Sequence, residues 1–177
     1  GNKGQRVVET PAGMLNCVGL ENPGAEYFLN TTLPKLSKYN VPIIVNIDGD
    51  SPEEYGELAE KLDVDGVAAL EINISCPNVA QGGLAFGICP TEAAKVIKAV
   101  KRHTHKTVIT KLTPNVTDIV EIALAAEAAG SDAISLINTL RGMNIDLKQQ
   151  KPLFVNIMSF LSLPAVRPVA VRMVYQV

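Results

Sequence analysis

Hydrophobic positions along the chain fall into short blocks that alternate between two periods. Val41–Ile47, Val67–Ile74, Thr107–Leu112 and Asp132–Ile137 are short apolar runs bounded by turn residues, which predicts buried strands. Between them the period changes to that of a helix. Ser51-Pro52-Glu53-Glu54 carries a cap, a proline for the first turn and early acids. The helix it opens puts Tyr55, Leu58, Ala59 and Leu62 on one face and closes at Asp65-Gly66. Pro90–His103 reads as a second helix, with Thr91 as cap and Ala94, Ile97 and Val100 inward. Thr117–Ala129 reads as a third, stopped by Gly130. Upstream, Ala25–Tyr39 predicts a helix with Phe28, Leu29 and Leu36 inward, bent or broken at Pro34. Gly1–Pro11 shows no periodicity and is expected to be a loop, and Ala12–Leu20 is small and apolar. Pro152–Ile157 is expected to form a further strand, and Val166–Val177 is apolar on one helical face with Arg167 and Arg172 outside it.

Strands and helices alternate with connections that suit only parallel crossovers. Polar residues recur at the carboxyl ends of successive strands: Asn46, then Asn73 with Cys76, then Lys111, then Asn138 and Thr139. Barrel enzymes assemble their sites from strand ends in this way. The expected fold is therefore α/β, a partial (β/α)8 TIM barrel with parallel strands alternating with helices. A doubly wound open sheet is the alternative, but neither GxGxxG nor GxxxxGK[ST] occurs. A full barrel takes about 200 to over 250 residues. The expectation is a single domain over residues 1–177, the segment of a barrel lacking both ends.

Composition narrows the function classes. Of the 177 residues, 47% are hydrophobic and 19% charged, which suits a packed domain. A net charge of -2 offers no broad attraction for nucleic acid or anionic membrane. No apolar run reaches the roughly 20 residues of a membrane span. Cys17, Cys76 and Cys89 are odd in number and lack CxxC spacing, which argues against disulfides and structural zinc and favours a cytoplasmic location. His103 and His105 have no third ligand nearby and read as a solvated helix end, so no metal is expected.

The chemistry concentrates in Glu71–Gly87, where an apolar strand delivers Asn73, Ser75, Cys76 and Asn78 ahead of Gly82-Gly83. Pro77 biases Cys76 towards an extended backbone. A thiol between two asparagines, before a glycine-rich loop, is a candidate catalytic group, although a free cysteine also serves as a small hydrophobe. Lys111 lies inside an apolar run, where an ammonium is costly unless paired or met by a ligand. Asn16 reads locally as a turn residue.

Five segments together, EINISCPNV with GGLAFG, KLTPNVTDI, SLINTLRGMNIDL and PAVRPVAVRMVYQV, resemble the dihydroorotate dehydrogenases, most of all the class 1B catalytic subunits. The resemblance implies an FMN-containing (β/α)8 barrel that oxidises dihydroorotate to orotate in pyrimidine biosynthesis. It further implies a homodimer, with electrons passed to NAD through a partner subunit that carries FAD and an iron–sulfur cluster. By motif, Cys76 would be the general base. Asn16, Cys17, Val18, Gly19, Leu20, Asn73, Asn138 and Thr139 would meet the substrate. Asn46, Asn73, Lys111 and the backbone of Ile137 would meet the flavin.

One departure stands out within that resemblance. The family commonly reads GGLSGPA where this chain reads Ser159-Phe160-Leu161-Ser162-Leu163-Pro164-Ala165. Leu163 takes the place of a glycine that approaches the flavin, and its side chain is expected to project towards that site. Two other readings stay open on the residues alone. One is a dihydropyrimidine dehydrogenase-like domain, whose loop usually has histidine where this chain has Asn78. The other is a flavin-less barrel segment without catalytic activity.

Overall fold

The computed structural model describes residues 1–75 and 86–177 in full, and the backbone pairing of residues 77–78 and 84–85. Its centre is a four-stranded parallel sheet in sequence order: Ile44–Ile47, Ala69–Asn73, Thr107–Lys111 and Ala133–Ser135. Each strand is joined to the next by a helix, Pro52–Lys61, Pro90–His103 or Ile119–Ala128. Three consecutive β/α units and a fourth strand, with sequential parallel neighbours, are an arc of a (β/α)8 barrel.

The two faces of this sheet differ by strand alternation. One face presents Ile47, Leu70, Ile72, Val108 and Thr110, all buried, to the three helices. Tyr55, Ala59, Ala93, Val96, Ile97, Val100, Ile122 and Ala126 pack there in one core. The other face presents Asn46, Glu71, Asn73, Lys111 and Ser135 in matched register. Asn46 lies opposite Glu71, Asn73 opposite Lys111, and Lys111 opposite Ser135.

The helix boundaries follow local chemistry. Ser51 accepts a hydrogen bond from the Glu54 amide at 3.2 Å, with Pro52 in the first turn, as the sequence predicts. Glu54 in turn accepts from the Asp50 amide at 2.7 Å. Cys89, not Thr91, caps Pro90–His103; no side-chain cap bond forms, and the thiol lies 3.1 Å from Thr91 Oγ1. Asp118 caps Ile119–Ala128 by accepting from the Val120 amide at 2.8 Å. Gly130, at φ 101°, ends that helix in the left-handed region that favours glycine.

Three expectations need correction. The expected helix Ala25–Tyr39 is helical as Ala25–Tyr27 and Leu33–Leu36, with a π-turn Phe28–Thr32 between them. Pro34 has no amide hydrogen to continue the α ladder, and the wider turn just before it absorbs the mismatch. The amino-terminal loop is instead a hairpin, Val7–Thr10 paired antiparallel with Gly13–Asn16. Its outward valine and glutamate positions alternate too briefly to register as a period. Of the expected strand Pro152–Ile157 only Pro152 is in a strand, the short Lys151–Pro152 paired with Ile145–Asp146. The longer strand is Ser159–Ser162, and it joins Gly13–Asn16 on one side and Leu140–Gly142 on the other. Phe154, within the span 152–157, plugs a small second core with Leu15 and Cys17.

The result is a second, antiparallel sheet of four strands, ordered Val7–Thr10, Gly13–Asn16, Ser159–Ser162, Leu140–Gly142. It supplies Asn16, Arg141 and Phe160 to the cavity that also receives the loops after the parallel strands. The candidate site therefore lies between the two sheets.

Candidate functional site

The carboxyl ends of the parallel strands and the antiparallel sheet enclose a cavity of about 650 Å³, within the range of small-ligand sites. Asn16, Cys17, Val18, Gly19, Leu20, Asn73, Asn138 and Thr139 all line it. These are the residues that the sequence motifs assign to substrate. They come from three separate parts of the chain, so their convergence is a property of the fold and not of proximity in sequence.

Each polar member is held by a specific contact. Asn16 is not a turn residue. It ends a strand, and its Nδ2 donates to the Phe160 carbonyl at 3.3 Å. Asn138 Nδ2 donates to Asn73 Oδ1 at 2.9 Å, which joins two strand ends through their side chains. The Asn138 Oδ1 accepts from the Thr139 amide at 2.8 Å. Asn115, which the sequence reading did not single out, braces the same loop. It donates to the Thr139 carbonyl at 3.0 Å and accepts from the Arg141 amide at 2.9 Å. The loop Cys17–Leu20 is fixed from the amino terminus: Asn2 donates to the Cys17 carbonyl at 3.1 Å, and its own amide donates to the Val18 carbonyl at 2.7 Å. Gly19 has φ 66°, and a Cβ there would come within 2.8 Å of the Asn2 side chain, so only glycine suits the position.

A buried phenol supports the strand ends from behind. The Tyr55 hydroxyl donates to the Asn73 carbonyl at 2.7 Å and lies 2.9 Å from Asp48 Oδ1. Tyr55 itself is 1% exposed and packs edge-on against Phe86. Its ring belongs to the helix-side core while its oxygen reaches the functional edge. Sequence periodicity identified the ring as core and gave no sign of the hydroxyl's role.

Two of the residues assigned to the cofactor, Asn46 and Lys111, form a second cluster on the polar sheet face. Lys111 is paired, as an ammonium in an apolar run requires: its Nζ lies 3.6 Å from Glu71 Oε2. Asn46 Nδ2 donates to the same oxygen at 2.6 Å, and Ser135 Oγ donates to Oε1 at 2.8 Å. Burial raises the Glu71 carboxyl, but the bonds from Ser135 and Asn46 and the charge of Lys111 outweigh it and hold the carboxyl below its usual range. Glu71 is the main residue that sequence reasoning missed. Its place two positions before Asn73, on the same strand face, was the available signal. The Ile137 side chain packs against the helix-side core, which leaves its backbone as the part able to meet a ligand.

Two assignments fall elsewhere. Cys76 lies outside the described residues, as does the side chain of Asn78. Ser75, immediately before Cys76, lines the cavity and donates to the Lys111 carbonyl at 3.3 Å. Leu163 is 56% exposed and, like Asn46 and Lys111, is not among the residues lining the cavity. Its backbone nevertheless adopts φ 71°, ψ -156°, a region that is essentially glycine's own. A leucine thus keeps the backbone conformation that a glycine would take. Among the described residues, no group of three His, Cys, Asp or Glu side chains is placed to hold a metal ion, and no helix is long and apolar enough to cross a membrane.

A barrel arc with asparagines at its strand ends, facing a cavity, defines a ligand-binding enzyme scaffold of the β/α class. The profile described as dihydroorotate dehydrogenase matches residues 1–177, and the chain belongs to that family. Similar curated relatives include proteins of Citrifermentans bemidjiense, 54% identical, and Geotalea daltonii, 56% identical, each covering 100% of this chain and 58% of the relative. A protein of Thermoanaerobacter pseudethanolicus is 54% identical over 99% of this chain and 58% of its own length. All three are named dihydroorotate dehydrogenase B (NAD(+)), catalytic subunit. This chain thus spans somewhat over half the length of the relatives it matches. Among solved structures, the carboxyl transferase domain of Rhizobium etli pyruvate carboxylase gives a TM-score of 0.45 at 18% identity, covering 60% of this chain and 18% of that one, a likeness too distant to inform the site.

Proposed function

We propose that this chain forms the substrate and flavin-ring side of a dihydroorotate dehydrogenase active site, which oxidises dihydroorotate to orotate in pyrimidine biosynthesis. The observation that carries the reading is the convergence of Asn16, Asn73, Asn138 and Thr139 on one cavity. Amide side chains both donate and accept, which suits a planar ring bearing imide and carboxylate groups. The Asn73–Asn138 bond and the Tyr55 brace fix those amides before ligand arrives, so little ordering cost remains at binding.

The residues present also fit a flavin. Lys111 offers an ammonium and Asn46 an amide on a polar face beside the cavity, while Asn73 lines the cavity and lies opposite Lys111 in the sheet. FMN, when bound, supplies the hydride acceptor for the substrate's C6. Lys111 contributes positive charge where negative charge develops on reduction. Cys76 takes the proton from C5 of the substrate. A thiol of ordinary pKa near 8.5 serves if its anion is modestly favoured. In this reading the electrons leave towards NAD through a second subunit carrying FAD and an iron–sulfur cluster. The relatives' designation as a catalytic subunit for NAD(+) supports that step. The reading also includes a homodimer and a cytoplasmic location.

The test is orotate binding by calorimetry on the FMN-loaded full-length protein that carries this chain. Asn73→Ala and Asn138→Ala should each weaken orotate at least about tenfold, since each leaves a polar ligand group unpaired. Parent-like affinity in both variants would overturn the assignment of this cavity to substrate.

A further inference from the structure

We propose that Glu71 is a positioning residue of the flavin site: it fixes the Asn46 amide and the Lys111 ammonium on the sheet face offered to the isoalloxazine. The inference rests on the flavin reading above and deepens it. Glu71 sits in the middle of the four-stranded sheet and receives a donor from each of the other three strands. Asn46 comes from the first strand, Lys111 from the third and Ser135 from the fourth. Glu71 is partly buried, and even partial burial disfavours its charge unless donors meet it. Three converging donors make it stable as a carboxylate, and a fold needing only volume here would be served by an apolar residue.

The geometry has two consequences for the ligand face. An ionised carboxylate only accepts hydrogen bonds, so the Asn46 group that faces it is the NH2, and Asn46 Oδ1 is turned away as an acceptor. A flavin ring carries an imide N–H that needs such an acceptor. Lys111 is held at 3.6 Å, close enough to be restrained and far enough to keep donors for a ligand. The carboxylate also offsets part of the lysine's charge. Glu71 therefore sets both where the ammonium sits and how strongly the site favours electrons on the ring.

The experiment compares Glu71→Gln with the parent in the full-length protein that carries this chain. Three readouts are taken: FMN dissociation constant, reduction potential of bound flavin, and the acylation rate of Lys111 in flavin-free protein by peptide mass spectrometry. The glutamine variant should bind FMN about tenfold more weakly, the scale of one hydrogen bond to a charged group. Its bound flavin should reduce at a more positive potential, because a negative charge beside the ring is gone. Lys111 should acylate several-fold faster without its restraining carboxylate. An unchanged acylation rate overturns the proposal, and so does an unchanged affinity together with an unchanged potential. If the parent binds no FMN, the flavin reading falls, and the acylation rate alone then decides the positioning role. If Glu71→Gln fails to fold, Ser135→Ala removes one of the three supports but keeps the carboxylate's charge, so it should weaken FMN binding and quicken Lys111 acylation by less, without the positive shift in potential; unchanged affinity together with an unchanged acylation rate overturns the proposal.

Discussion

The two faces of the parallel sheet are made by the same strands and do opposite work. On the helix side, Leu70, Ile72 and Val108 are fully buried in an aliphatic core, where burial of apolar area is the main stabilising term. On the cavity side, Asn46 and Ser135 hydrogen-bond Glu71 and Lys111 pairs with it as an ion, which links all four strands. Alternating side chains let one five-residue strand, Ala69–Asn73, serve both. The lesson is that stability and chemistry here are separable at single-residue resolution. A substitution on one face should move melting behaviour, and its neighbour on the other face should move ligand binding.

The largest effect that sharpens this contrast is Ile72→Ala. Its side chain is fully buried between sheet and helices, and the change should cost about 2–5 kcal/mol in denaturant unfolding. The adjacent Glu71→Gln should cost far less stability while altering flavin affinity. Comparable losses of stability for both would erase the distinction between the faces.

Tyr55 bridges the two sides and is the place to break the separation. Tyr55→Phe keeps the ring in the core but leaves the Asn73 carbonyl without that donor. The expected cost is about 1–2 kcal/mol in stability, accompanied by weaker orotate binding through a loosened Asn73. A stability loss with orotate affinity untouched would show that the phenol serves the core alone.

Leu163 is expected to give a smaller effect of the opposite sign. Relief of its glycine-type backbone should outweigh the added chain entropy, and Leu163→Gly should stabilise by about 1 kcal/mol. A lower melting temperature for the glycine variant would contradict that strain.

The smallest effect is a pH dependence. Glu71 has a folded-state pKa below its ordinary value, so its contribution is complete above that ordinary value and lost as pH falls through the lowered one. Chemical denaturation of the parent should therefore show a steeper loss of stability below about pH 4.3 than Glu71→Gln shows. Parallel pH profiles would remove the hydrogen-bonded carboxylate from the account.

How legible these features were in the chain follows from the range of the interactions. The parallel strands and their helices announce themselves because period and capping are local: Ser51, Pro52 and Gly130 act within a turn of where they stand. The strand-end asparagines and Lys111 were legible for the same reason, as polar groups interrupting apolar runs. The antiparallel sheet was not. Its pairing of Gly13–Asn16 with Ser159–Ser162 joins segments far apart in the chain, and no local period encodes that partnership. Glu71 escaped notice because its meaning lies in donors from three other strands. The positive φ of Leu163 is likewise a backbone outcome that residue type alone does not specify.

The central claim is that the cavity and the polar sheet face together form a dihydroorotate–flavin site. The most direct measurement is an anaerobic titration of the FMN-loaded full-length protein with dihydroorotate, following the visible absorbance of oxidised flavin. The account predicts stoichiometric bleaching with formation of orotate in the parent, and severely slowed bleaching in Cys76→Ser with flavin still bound, because a serine hydroxyl is a far weaker base at neutral pH. Absorbance that does not change on adding dihydroorotate to the loaded parent would contradict it.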